Sequence, residues 1–162
     1  MISINIFYIS VLIHILSAIA WLGSLVALIF IVIPAYIKRT DVITKDLLVD
    51  ISKRYIVVVQ ASSALILITG LYQTFDIQYL DINKLFFTIY GNLILLKILL
   101  YFVFVIIGIR TGLILTKVDN LSKENIEKLV QKAKIWLFID LGIGIFIVII
   151  ALSLSINVQF SF

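Results

Sequence analysis

Cysteine is absent from the 162 residues. That excludes a disulfide framework, a thiolate metal site and a nucleophilic thiol. Charge is scarce as well. Only 14% of the residues are Asp, Glu, Lys or Arg, while 63% are hydrophobic; globular domains carry about 25% charged residues. So little polar surface cannot coat a water-soluble fold. Histidine occurs once, as His14, and methionine once, as Met1. One chain therefore cannot assemble a site rich in imidazole and thioether ligands. Proline also occurs once, as Pro34, which leaves the apolar runs nearly unbroken. No catalytic triad, phosphate-binding loop or pair of carboxylates can be picked out, so the reading leans away from an enzyme. The formal net charge of +4 calls for no nucleic-acid partner, because its placement follows membrane topology.

What is present is long apolar sequence. Four stretches reach or pass the ~18 apolar residues that mark a spanning helix; they cover about residues 4–35, 55–72, 85–109 and 135–156. None alternates with period two, which sets aside a transmembrane barrel. The expected fold is all-α: a polytopic, four-transmembrane-helix bundle, residues 1–162 forming a single domain, multi-pass in the cell membrane with the lipid bilayer as its main partner. The opening "MISINIFYIS" has no basic region ahead of its apolar run, so it is expected to remain as the start of the first span rather than act as a signal peptide.

The charges orient the bundle. Lys38, Arg39, Lys45, Lys53 and Arg54 lie between the first two spans. Arg110, Lys117, Lys123, Lys128, Lys132 and Lys134 lie between the last two, whereas the middle connection has only Lys84. The positive-inside rule puts both basic loops in the cytoplasm and both termini outside. Tyr36, Tyr55 and Trp136 then fall near the inner boundary, and Tyr72, Phe75 and Tyr79 near the outer one, as aromatic belts. The basic loops read as helix extensions, with Thr44 and Ser122 as N-caps and i, i+4 pairs at Asp50–Arg54 and Glu124–Lys128. Their basic excess can also touch anionic lipid headgroups.

Polar residues inside the spans carry the remaining information. Ser10, His14, Ser17, Trp21 and Ser24 recur at steps of four and three, which places them on one helix face. Two small pairs on that helix, Ala20 with Ser24 and Gly23 with Ala27, are spaced for close helix approach. Gln60, Ser63 and Gly70 share a face of the second span. So do Tyr90, Lys97, Tyr101 and Gly108 on the third, and Trp136, Asp140, Gly144, Ala151 and Ser155 on the fourth. These stripes are expected to face one another. Lys97 stands thirteen residues from both Lys84 and Arg110, near the bilayer midplane. A lipid-facing lysine there would cost about 2.5–3.5 kcal/mol, so it should turn inward. Asp140 is its expected partner across a vertical gap of about 10 Å by helical rise. His14 is expected to line an outward-facing cavity with Trp21 and to be the sole strong candidate metal ligand.

The stretch "LIHILSAIAWLGSLVALIFIVIPA", residues 12–35, resembles the opening of the copper-resistance D family. That family pairs a histidine with Trp-x-Gly in its first helix and a proline near the end of it; His14, Trp21, Gly23 and Pro34 match. "SKRY" at 52–55, "ITGLYQ" at 68–73 and "TIYGNLILLK" at 88–97 are similar to later motifs of the same family, through Tyr90, Gly91 and Lys97. The similarity runs from about residue 12 to 117. It implies an inner-membrane helical protein of copper uptake or homeostasis, often the membrane part of a larger protein. The chain departs from a copper path in its ligands, offering only Met1 and His14.

A second, weaker resemblance is to the bacterial membrane protoporphyrinogen oxidases, four-helix proteins that bind a b-type haem. His14, Trp21 and Lys97 stand where that family has its histidine, tryptophan and lysine, which makes these three the candidate cofactor-binding set. The residues after Trp21, "LVALIFIVIPAY", lack that family's basic and aromatic pattern. Three function classes stay open: a copper-homeostasis protein, a haem-binding redox protein, and a non-catalytic accessory subunit of a membrane complex. Either copper or b-type haem is the implied ligand, with a homo-oligomer or larger membrane complex as the implied assembly.

Overall fold

The computed structural model describes residues 2–38, 42–76, 86–120 and 123–159, and nearly all of these are helical. Helix α1 spans Ile2–Ala27 and runs through a π turn, Leu28–Val32, into α2, Ile33–Lys38. Then come α3, Val42–Asp76, and α4, Ile89–Thr116. A 3₁₀ turn at Lys117–Asn120 precedes α5, Lys123–Gln159. The π turn has a chemical cause. Pro34 has no N–H to give the carbonyl of Phe30, and its ring crowds that carbonyl. The helix widens just upstream, so that the N–H of Ile33 bonds Leu28 five residues back.

Four rods result, with α1, the π turn and α2 forming the first. Each contains a segment long and apolar enough to cross a membrane: Ile6–Lys38, Lys45–Thr74, Ile89–Thr116 and Asn125–Leu154. Helix α1 packs on α3, α3 on α4 and α4 on α5, and α1 touches α5 more lightly. The outer surface is apolar: Ile19, Ile31, Val57, Ile68, Leu99 and Ile149 are all exposed. In water such a surface would drive aggregation, and against lipid it is the required one.

The buried apolar core is not spread evenly along the bundle. It runs from Trp21 toward the basic end through Leu25, Ile29 and Ile33 on the first rod. Leu48, Val59, Leu115, Val130 and Leu137 face them from the other rods. The opposite end buries Ile150 and Leu154 and is held largely by polar residues, with Ser10, Ser17, Ser62, Ser63 and Thr69 all buried. At 35 and 37 residues, α3 and α5 are roughly 52–56 Å long at 1.5 Å per residue. They outrun a ~30 Å hydrocarbon layer and carry the core beyond it on the basic side.

This extension corrects part of the aromatic-belt expectation. Tyr36 and Tyr55 are buried in the core, because at their level they are enclosed by the overrunning helices; Trp136 is exposed, which fits a belt residue and removes it from the inward stripe of the fourth span. Helix α3 begins at Val42, ahead of the expected cap at Thr44, and Ser122 and Tyr79 lie outside the described residues. Asp50 meets Lys53 at 3.8 Å rather than Arg54. The close helix approaches fall elsewhere than expected. An added Cβ at Gly23 would meet nothing within 4 Å, whereas one at Gly144 would lie 2.7 Å from Leu22 and one at Gly112 2.5 Å from Ile56.

Candidate functional site

Two polar clusters lie inside the bundle. The first joins α1 to α3 around His14. Nδ1 of His14 is 2.8 Å from the hydroxyl oxygen of Thr69. That hydroxyl spends its one proton on the carbonyl of Leu65, 2.6 Å away one helical turn back. Thr69 is left to accept, so His14 donates from Nδ1. The neutral ring then carries its lone pair on Nε2. A metal-binding histidine is prepared in this way: one nitrogen donates to a protein acceptor and the other is left for the metal.

Neighbouring residues hold the ring in place. Gly70 lets α3 close on it, since a Cβ there would sit 3.3 Å from Cε1 of His14. Ser10 donates to the Thr69 carbonyl at 3.4 Å, and Gln73 donates to Ser10 at 3.3 Å. Lys97, half-buried on α4, stands within electrostatic reach of His14. Trp21, two turns along α1, turns its indole into the second cluster.

Trp21 is fully buried, with its ring stacked on Phe104 at 4.1 Å between centroids and edge-on to Tyr101 at 6.3 Å. Tyr101 donates to the carbonyl of Ser63 at 2.8 Å, which ties α4 to α3. The indole N–H of Trp21 approaches the phenol of Tyr55 without reaching hydrogen-bonding geometry, and that phenol neighbours the carboxyl of Asp140. Asp140 has no exposed surface. Both its oxygens, the Tyr55 hydroxyl and the Trp21 Nε1 lack a hydrogen-bond partner among the described residues. Gly108 makes the room: its missing Cβ would lie 3.3 Å from Asp140 Oδ2 and 3.4 Å from the Tyr55 oxygen.

The expected Lys97–Asp140 pair does not form. Asp140 sits level with Gly108, eleven residues along α4 from Lys97, or roughly 16 Å by helical rise. A lysine side chain cannot close that distance. The sequence-based estimate of 10 Å placed Asp140 too far toward the midplane, because α5 extends further on the basic side than its apolar pattern suggests. Two contributors escaped the sequence reading. Thr69 was legible only as part of a Thr-Gly step. By sequence Tyr55 reads as interfacial, because it follows Lys53 and Arg54.

Among the described residues no three His, Cys, Asp or Glu side chains gather as a metal cluster. A family model, Copper resistance protein D, matches residues 49–154, well over half of the chain. His14 and Trp21 precede the matched segment; Tyr55, Thr69, Lys97 and Asp140 lie within it. No curated protein and no solved structure matches the chain.

Proposed function

The chain belongs to the copper resistance protein D family, and from that premise we propose that it handles copper as cargo in uptake or homeostasis at the cell membrane. His14 is the ligand, at the polar end of the bundle. The observation that supports this reading is the 2.8 Å contact of His14 Nδ1 with the Thr69 hydroxyl, whose own proton goes to Leu65; from it we infer the tautomer with Nε2 unprotonated. One imidazole does not close a copper shell, so a second copy of the chain or another subunit supplies the other ligands. The test is copper accumulation by cells carrying wild-type protein or His14→Ala, compared at equal membrane abundance. Wild type is expected to change accumulation relative to cells lacking the protein, and the variant is not. Equal effects from both would overturn the reading.

A second reading rests on Lys97 standing within electrostatic reach of His14. Were b-type haem the ligand, His14 would hold its iron, and Lys97 or another subunit would offer a second ligand. The haem would supply one-electron chemistry. A Soret band in purified wild-type protein that is lost in His14→Ala would favour this reading over copper.

A further inference from the structure

The cluster around Asp140 has no part in either reading of His14. Its geometry is unusual: a carboxyl with no exposed surface and no partner for either oxygen among the described residues, facing two equally unpartnered groups. Helix α1 contributes the Trp21 indole, α3 the Tyr55 phenol and α4 the bare backbone of Gly108. None of these is a cation, and Lys97 is too far along α4 to serve as one.

Three occupants deserve comparison. A metal ion is disfavoured by the donor set, since one carboxylate and one phenol are too few oxygens for a hard cation, and the indole N–H points the wrong charge toward it. A bare carboxylate is disfavoured because an unpaired charge in a low-dielectric interior carries a large desolvation penalty. A proton on the carboxyl removes that charge and turns one oxygen into a donor. The phenol oxygen can then accept from that carboxyl, and the indole N–H approaches the same oxygen. An internal water joining the three groups would satisfy the rest.

We propose that Asp140, Tyr55 and Trp21 form a proton-binding site at the centre of the bundle, in which Asp140 holds its proton at neutral pH. The site thus links protonation to the packing of α4 against α3 and α5.

Infrared spectroscopy of the metal-free protein in lipid at neutral pH tests this independently of copper or haem. A protonated carboxyl has a C=O stretch separate from those of carboxylates and amides. Wild type is expected to show such a band, which shifts on carbon-13 labelling of aspartate and is lost in Asp140→Asn. The labelling needs no substitution, so it stands even where the variant fails to fold. Tyr55→Phe is expected to keep the band and move its frequency. A wild-type protein with no label-sensitive neutral carboxyl band, or one whose band persists in folded Asp140→Asn, would overturn the proposal.

Discussion

Thr69 accepts the Nδ1 proton of His14 at 2.8 Å because its own hydroxyl proton is committed to Leu65. A residue without an ionisable group therefore decides which nitrogen of the only imidazole is open to a ligand. It also ties α1 to α3 at the end of the bundle where apolar packing is thinnest.

Replacing Thr69 tests that role. Thr69→Val keeps the shape and removes the acceptor, and loss of such an outer partner typically lowers metal affinity 10–100-fold. Thr69→Ser keeps the acceptor and is expected to stay within a few-fold of wild type. Copper titration of purified protein reads both; equal affinity in wild type and Thr69→Val would detach Thr69 from the ligand function.

The glycines predict a contrast in stability. At Gly144 an added methyl meets Leu22 at 2.7 Å and Phe104 at 3.1 Å. Overpacking of this kind costs about 1–3 kcal/mol. Gly23 has open space around it, so Gly23→Ala is expected to leave stability unchanged or slightly raised through helix propensity. Thermal unfolding in detergent should lower the midpoint for Gly144→Ala alone.

Lys97 and Asp140 are expected to act separately. With the two residues in different clusters, the losses from Lys97→Met and Asp140→Asn should add to within about 0.5 kcal/mol in the double variant. Recovery of stability in the double variant would mean that the two side chains interact after all.

The charge pattern predicts the orientation. Cysteines introduced at Lys45 and Asn125 should resist an impermeant thiol reagent in whole cells, while one at Gln78, in the connection between α3 and α4, should react. The native chain has no cysteine to interfere. Labelling at Lys45 without labelling at Gln78 would reverse the orientation.

Helix number was legible because a bilayer imposes length and hydropathy on every span, and the inward stripes were legible in part: Gln60 and Trp136, expected on inward faces, are exposed. Ser10, Ser17 and Trp21 are buried on the predicted face of α1, and Asp140 and Gly144 on that of α5. Depth was less legible. Counting from the nearest charge assumes that helices end at the membrane, and α3 and α5 do not, so Tyr55 moved from interface to core and Asp140 away from Lys97. Pairing across helices was not legible at all. Nothing in a Thr-Gly step announces that its hydroxyl will meet an imidazole 55 residues earlier.

The most direct measurement is the copper content of detergent-purified protein, loaded with copper and then desalted, for wild type and His14→Ala. The absorption spectrum of the same samples reports any haem. The account predicts that wild type retains copper and that His14→Ala, with unchanged helicity, does not. Equal copper in the two proteins would contradict it and return His14 to a helix-packing residue held by Thr69.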